Sequence, residues 1–105
     1  MKKVISIAIA ENQEEDKNVL ESYIRKYQTD SSDYDFNITY FQSGILFVDK
    51  YKSNFDIVFM DIDMPQMDGL ETAKKIREVD SKVLIIFITN LAQMAIKGYS
   101  VNAFD

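Results

Sequence analysis

The chain has 105 residues, of which 47% are hydrophobic and 28% are charged, a balance typical of one compact domain rather than a disordered tail or a fibre. Its formal net charge of −5 leaves no basic surface to neutralise a phosphate backbone, so we expect no direct binding of nucleic acid. Cysteine and histidine are absent, which excludes disulfides, thiolate metal sites and the commonest zinc ligand. Any metal site must therefore use oxygen ligands.

The N-terminal region superficially resembles a secretory signal, because Lys2 and Lys3 precede the apolar residues 4–10. This stretch is too short, and Glu11 interrupts it. No apolar run approaches the roughly 18 residues that a bilayer-spanning helix needs. We therefore expect a cytoplasmic protein without a membrane partner.

The first part of the chain predicts a strand, a helix and a second strand. Residues 4–10 are apolar and β-branched with little alternation, as expected for a strand covered on both faces. Residues 13–28 predict a helix, because apolar side chains recur at helical spacing. A polar turn at 29–33 and a second strand at 36–41 follow. The apolar side chains of the helix are Val19, Leu20, Tyr23, Ile24 and Tyr27.

The same alternation continues to the end of the chain. The remaining predicted elements are a short helix at 43–51, a strand at 55–60, a helix at 70–79, a strand at 83–88, a weaker helix at 91–99 and the start of a fifth strand at 101–105. Ser43 is the expected cap of the short helix. The apolar stripe of the next helix consists of Leu70, Ala73 and Ile76. Strands that alternate with helices predict right-handed βαβ units, hence an α/β fold with a doubly wound parallel sheet.

Polar side chains cluster where the predicted strands end. In such a sheet, ligands bind outside the carboxyl ends of the strands, where the strand order reverses. If the order is 2-1-3-4-5, as in flavodoxin-like folds, Glu11, Asn12 and Asp61 converge. Their oxygens suit Mg²⁺, and an aspartate beside that ion can attack phosphorus as a covalent nucleophile. The other polar strand-end candidates are Asp63, Thr89 and Asn90.

Each candidate also has a purely structural interpretation. Glu14, Glu15 and Asp16 are acids of the kind favoured in the first turn of a helix. Thr89 could simply end a buried strand, although its position opposite Asp61 favours a role in binding a phosphoryl group. Asp61 closes an apolar strand and has no evident local turn to satisfy, which favours a functional role.

The loop after the third strand is interpreted in terms of backbone geometry. Asp68 is a good helix cap, and Gly69 would relieve backbone strain before the helix begins. Met64 precedes Pro65 and is therefore pushed towards extended conformations. This pair is expected to set the direction of the loop.

The segment 55–71, FDIVFMDIDMPQMDGLE, strongly resembles the phosphorylation-site signature of response regulator receiver domains. The resemblance continues through residues 86–89 and 101–105 and so covers essentially the whole chain. The Ala-Phe-Asp ending is most similar to receivers that are joined to LytTR-type DNA-binding output domains.

This resemblance implies that a sensor histidine kinase phosphorylates Asp61 with Mg²⁺ as cofactor. It implies that Asp63 offers a backbone carbonyl to the ion, and that Glu11 and Asn12 occupy the acidic-pair positions. Thr89 matches the hydroxyl residue that contacts the phosphoryl group. The implied protein is a signalling phosphoacceptor in transcription regulation rather than an enzyme with turnover. Phosphorylation would switch its interactions with an output domain or a second copy.

Three departures from the family pattern carry expectations of their own. Asn12 stands where an aspartate is usual, which removes one charge and lowers the expected affinity for Mg²⁺. Asn90 replaces a commonly small residue and would alter access to the phosphoryl group. The sequence stops at Asp105, before the family's lysine. The resemblance thus implies a truncated receiver over residues 1–105, with an incomplete fifth strand and without a last helix or output domain. We expect low stability or self-association through a bare sheet face.

Three alternatives remain open at this point. A pseudo-receiver would keep the fold as a protein-interaction module without phosphorylation. A haloacid-dehalogenase-like phosphatase would use Asp61 and Asp63 as an Asp-x-Asp pair, but Pro65 replaces the usual hydroxyl residue and the motif lies at mid-chain. A flavodoxin-like electron carrier is disfavoured, because the acidic residues 11–15 would repel a cofactor phosphate.

Overall fold

A computed structural model describes residues 2–30 and 33–89 of the chain. Their secondary structure agrees with the predicted alternation of strands and helices, with boundaries that differ by at most two residues. The predicted helix at 91–99 and the start of a fifth strand at 101–105 lie outside the described residues. The elements are β1 (Lys3–Ala10), α1 (Glu14–Asp30), β2 (Tyr34–Phe41), α2 (Gly44–Lys50), β3 (Ile57–Asp61), α3 (Gly69–Val79) and β4 (Leu84–Ile88).

The four strands form one parallel sheet in the order β2-β1-β3-β4. This order confirms the predicted flavodoxin-like topology for the strands that are described. The chain leaves β1 towards β2 on one side and returns to β3 on the other side. The switch point therefore lies between β1 and β3, where Ala10 is paired with Met60. Within the described residues, no helix is long and apolar enough to cross a membrane.

The two faces of the sheet carry separate apolar cores, because successive side chains of a strand point to opposite faces. Ala8 and Ala10 of β1 belong to the cluster that contains Phe47 of α2 and Ile76 of α3. Ile7 and Ile9 belong to the other cluster, whose helical members are Leu20 and Ile24 of α1. This division explains why β1 shows little alternation in its sequence: both of its faces are covered.

The predicted apolar face of α3 is shifted by the packing of its first turn. Leu70 is 51% exposed, whereas Thr72 is fully buried, so the prediction that Leu70 belongs to the buried stripe is wrong. Thr72 packs against Gly44 at the start of α2, where a side chain on the glycine would overlap the threonine hydroxyl. The hydroxyl donates to the Asp68 carbonyl oxygen at 2.7 Å, which satisfies a polar group inside the contact.

The predicted apolar face of α1 is only partly buried. Leu20 and Ile24 are in the core, but Val19, Tyr23 and Tyr27 are 42%, 65% and 58% exposed. The two tyrosines border an apolar groove of about 340 Å³ between α1 and the sheet. The groove is lined by Ile7, Leu20, Tyr23, Ile24, Tyr27, Phe36, Ile57 and Phe59. The expected self-association through this face stays a prediction.

Candidate functional site

Glu11 stands at the carboxyl end of β1 and is only 2% exposed. Its backbone N–H donates to the Phe41 carbonyl oxygen at 3.0 Å, and its own carbonyl oxygen accepts from the Tyr40 hydroxyl at 2.8 Å. Its carboxylate accepts from the Gln13 backbone N–H at 2.9 Å. Both the backbone and the side chain of Glu11 are thus held in place.

Asp61 ends β3 beside Glu11 and is 4% exposed. Its Oδ1 accepts from the Asp63 backbone N–H at 3.3 Å, so the expectation that Asp61 has no local turn to satisfy is wrong. The Ile62 N–H donates to the Ile88 carbonyl oxygen at 2.9 Å, which keeps the chain paired with β4 just beyond Asp61. The carboxylate is therefore fixed at the carboxyl edge of the sheet rather than carried by a free loop.

The carboxyl groups of Glu11 and Asp61 are near enough to influence each other's pKa. Burial raises the pKa of Glu11 from 4.5 to about 8; the Gln13 N–H opposes this rise, and the nearby charge of Asp61 adds to it. Burial likewise raises the pKa of Asp61. Two buried carboxylates without a cation are poorly solvated and repel each other. The pair therefore holds a proton at neutral pH.

Asn12 completes this acidic pocket, which has a volume of about 100 Å³. Its Oδ1 is buried and accepts no hydrogen bond from the described part of the chain. The carboxylate of Asp16, in the first turn of α1, adds negative potential that raises the pKa of both Glu11 and Asp61. Sequence reasoning assigned Asp16 only to the helix N-terminus and missed this contribution. The pocket is lined by Glu11, Asn12, Gln13, Asp16, Asp61 and Asp63.

The donor set of the pocket fits a hard cation of the Mg²⁺ type. Across residues 2–30 and 33–89, no three acidic side chains are arranged to hold a metal ion by themselves. Mg²⁺, however, commonly takes only one or two carboxylates together with other oxygen atoms and water. A cation would give the unpartnered oxygen of Asn12 a partner and replace the proton held by Glu11 and Asp61.

The loop after β3 is anchored by a buried side chain. Met64 is 5% exposed and belongs to the core between the sheet and the helices α2 and α3. Gln66 adopts a left-handed conformation with φ of 71°, and the Met67 N–H donates to the Pro65 carbonyl oxygen at 2.8 Å. The prediction assigned Met64 and Pro65 to loop direction alone. The burial of Met64 was missed, because a single apolar side chain in a short irregular loop gives no periodic signal.

Asp68 is the N-cap of α3, as predicted: its Oδ1 accepts from the Glu71 N–H at 2.8 Å. The role of Gly69 differs from the prediction. Its backbone is not in the left-handed region, so there is no conformational strain for a glycine to relieve. A side chain there would instead overlap the Asp61 carbonyl oxygen and lie 2.8 Å from the Ile62 Cα atom. Gly69 thus permits α3 to start directly against the backbone of the acidic pocket.

Thr89 follows β4 and is half-buried. Its preceding residue, Ile88, is paired with Asp61, so the two candidate residues lie on neighbouring strands at the same edge of the sheet. Asn90 lies outside the described residues.

A family model for the response regulator receiver domain matches residues 7–105. The chain belongs to the response regulator receiver domain family. Receiver domains are signalling proteins of two-component systems rather than classical enzymes. This membership removes the grounds for the phosphatase and electron-carrier alternatives and leaves the pseudo-receiver as the second candidate.

Curated relatives of this receiver domain include regulators from bacteria and an alga. The probable transcriptional regulator ycf29 of Porphyra purpurea is 33% identical over 97 residues, which cover 86% of the chain and 44% of the relative. CpdR of Brucella abortus is 34% identical over 62 residues, 58% of the chain and 52% of CpdR. CheY of Bacillus subtilis is 38% identical over 55 residues, 51% of the chain and 46% of CheY. The matched segments thus span about half of the length of each of these relatives.

Solved structures show the same fold. TrrA of Thermotoga maritima in complex with Mg²⁺-BeF superimposes with a TM-score of 0.71 at 24% identity and covers the whole chain and 90% of TrrA. TrrA in complex with the histidine kinase ThkA gives a TM-score of 0.62 at 27% identity, over 85% of the chain and 69% of the matched chain. These matches confirm the flavodoxin-like receiver fold for this domain.

Proposed function

We propose that this receiver domain accepts a phosphoryl group on the Asp61 carboxylate from a sensor histidine kinase, with Mg²⁺ as cofactor. The observation that carries the proposal is the buried pair of Glu11 and Asp61 at the switch point, beside an Asn12 oxygen that has no hydrogen-bond partner among residues 2–30 and 33–89. The Mg²⁺-BeF and histidine kinase complexes of TrrA support the choice of cofactor and partner.

The pocket assigns a separate task to each side chain. The Asp61 oxygen that does not accept from the Asp63 N–H attacks phosphorus, while the bond from phosphorus to the donor breaks. Glu11, Asn12, Asp61 and the Asp63 backbone carbonyl would hold Mg²⁺, which neutralises charge on the transferring group when bound. Thr89 would contact the phosphoryl oxygens from the neighbouring strand, and Asn90 would flank them.

The fixed position of Asp61 favours this chemistry. Its carboxylate is oriented by the Asp63 N–H, and its backbone is packed against Gly69, so little reorganisation is required before attack. The net negative pocket repels a phosphoryl donor until a cation is bound. Phosphorylation of Asp61 is therefore expected to depend strictly on a divalent cation.

The test is intact mass spectrometry after incubation with Mg²⁺ and acetyl phosphate. We expect an adduct of one phosphoryl group on the wild-type chain and none on Asp61→Asn. Asp56→Asn is the matched control, because it changes an exposed aspartate just before the same strand and should leave the adduct intact. An adduct that survives in Asp61→Asn, or one that forms fully in the presence of a chelator, would contradict the proposal.

The second candidate is a pseudo-receiver that binds partners without phosphorylation. The neutral Asn12 in place of an acid favours it, because one charge directed at a cation is missing. Absence of the adduct at millimolar Mg²⁺, with the fold intact, would support this candidate over the phosphoacceptor.

The downstream part of the proposal concerns partners. The matched segment covers only 44% of ycf29, which is described as a probable transcriptional regulator. We therefore propose that the domain controls a C-terminal output domain of the LytTR DNA-binding type, or a second receiver copy. Phosphate-dependent DNA binding by the full-length parent protein is the test. Phosphate-independent binding would contradict this part alone.

A further inference from the structure

We infer that Tyr40 is a positioning residue of the acidic pocket: its hydroxyl holds the Glu11–Asn12 peptide so that the Asn12 oxygen faces the cation, and it thereby sets the cation affinity of the site. This inference rests on the proposed function, because the ion concerned is the Mg²⁺ of phosphoryl transfer. Tyr40 does not line the pocket and would act only through the peptide that it holds.

Two consecutive residues of β2, Tyr40 and Phe41, hold the backbone of Glu11 by hydrogen bonds to its carbonyl oxygen and its N–H; this pair of bonds is the clamp on Glu11. The ladder between β1 and β2 ends where Ala10 is paired with Phe41. The next backbone N–H, that of Glu11, still donates to the Phe41 carbonyl oxygen at 3.0 Å. The Glu11 carbonyl oxygen lies beyond the regular ladder and accepts from the Tyr40 hydroxyl at 2.8 Å instead. The Tyr40 side chain thus extends the hydrogen bonding between β1 and β2 by one carbonyl group.

The peptide that follows this clamp carries Asn12. The Asn12 side-chain oxygen is buried without a hydrogen-bond partner in the described structure, an arrangement that costs free energy. A free Glu11–Asn12 peptide would rotate this oxygen towards water. Fixing the Glu11 carbonyl restricts that rotation and keeps the oxygen in the pocket. The clamp therefore pre-organises a weak, neutral ligand, which matters most in a site that has lost one acidic ligand.

The Tyr40 ring is itself held in place. The Lys17 ammonium group of α1 lies 4.9 Å from the ring centroid, and Lys17 also pairs with Glu21 at 3.5 Å. The ring packs against the apolar cluster on the α1 side of the sheet. Burial and the charge of Glu11 raise the pKa of the phenol, so the hydroxyl stays protonated and remains a donor.

Tyr40→Phe tests the inference, because it removes the hydroxyl and keeps the ring over which Lys17 lies. We expect Mg²⁺ to bind roughly two- to tenfold more weakly, as the loss of one neutral hydrogen bond would produce. The dissociation constant is measured by following the amide signals of residues 11–13 by NMR during a Mg²⁺ titration. Tyr34→Phe is the control: it removes a hydroxyl near the start of the same strand, roughly 20 Å away, and should leave the constant unchanged.

A double-mutant cycle shows whether Tyr40 acts through Asn12. We expect Tyr40→Phe to weaken Mg²⁺ binding much less in an Asn12→Ala background, because the oxygen that the clamp orients is gone. Equal effects in the two backgrounds would overturn the positioning role. Equal Mg²⁺ affinity of the wild type and Tyr40→Phe would overturn it as well, while leaving the proposed function intact. No Mg²⁺ binding by the folded wild type would overturn both.

The wild-type chain provides a measurement that does not depend on the folding of a variant. If the hydroxyl stabilises the cation-binding arrangement, bound Mg²⁺ must stabilise the hydroxyl bond by the same factor. We expect the exchange of the Tyr40 hydroxyl proton with water to slow two- to tenfold when Mg²⁺ saturates the site. An unchanged exchange rate would overturn the inference.

Discussion

Two aspartates at opposite ends of the same strand have opposite environments. Asp56, just before β3, is exposed, and its carboxylate accepts from the Ser6 backbone N–H at 2.8 Å. Its backbone bonds both neighbouring strands, through Ser6 on one side and Leu84 on the other. Asp61, at the far end, is buried against a second carboxyl group.

Asp56 has the environment of a stabilising carboxylate, and Asp61 has the environment of the proposed phosphoacceptor. Asp56 is exposed to solvent and accepts from a backbone N–H, so its side chain stabilises the start of the sheet without being desolvated. Asp61 faces Glu11 in a pocket whose net charge opposes ionisation, so this pair costs stability in the absence of a cation. Such a cost is typical of sites where function rather than stability determines the residues.

The largest effect is expected from Gly69→Ala, which disturbs the backbone at the Asp61 end of β3. The added methyl group would overlap the Asp61 carbonyl oxygen, and backbone atoms cannot rotate away. We expect urea denaturation to show a loss of about 3 kcal/mol in the free energy of unfolding. Gly44→Ala is the comparison variant, because the atom that its methyl group would overlap is the Thr72 hydroxyl, which a side-chain rotation can move at the cost of its hydrogen bond to Asp68. A loss from Gly69→Ala no larger than that from Gly44→Ala would disprove the close backbone fit.

The pH dependence of stability sharpens the same comparison. The pKa of Glu11 is about 8 in the folded chain and 4.5 in the unfolded chain, so between these values the folded state binds more protons. Stability without Mg²⁺ is therefore highest at the acidic end of this window and falls as the pH rises through it, by on the order of 2 kcal/mol.

Urea denaturation at a series of pH values without Mg²⁺ measures this fall. Glu11→Gln should remove most of it, because glutamine does not titrate. Asp56→Asn should leave it in place. A wild-type profile that is flat across the window, or one that rises, would show that the two buried carboxyl groups do not share a proton.

The smallest expected effect is a change in the free energy of unfolding that has opposite signs for Asp61→Asn and Asp56→Asn. At about pH 8 without Mg²⁺, Asp61→Asn should raise the free energy of unfolding by about 1 kcal/mol, because it removes a buried charge next to Glu11. Asp56→Asn should lower it by about 0.5 kcal/mol, because a neutral amide oxygen is a weaker acceptor for the Ser6 N–H. Both changes are read from thermal or urea unfolding. The same sign for both variants would remove the distinction drawn between the two ends of the strand.

The polar residues at the strand ends could be predicted from the sequence because the sheet rule concerns the chain itself. Each parallel strand delivers its last residues to the same edge, so Glu11, Asn12 and Asp61 follow from the strand assignments alone. The cap at Asp68 could be predicted equally well, because capping depends on residues that are three positions apart in the sequence. The reason why residue 69 is a glycine could not be predicted, because the backbone that Gly69 approaches, at Asp61, lies eight residues earlier in the chain.

The amino-acid sequence by itself determined the alternation of strands and helices, the parallel sheet and the edge at which the candidate site lies, because these depend on local periodicity and on connection rules. The tertiary structure decided that Tyr40 holds Glu11, that Met64 is buried and that Asp16 adds its charge to the pocket. Glu11 is 29 residues from Tyr40 along the chain. Partners at such separations are set by register and packing, which leave no periodic signal in the sequence.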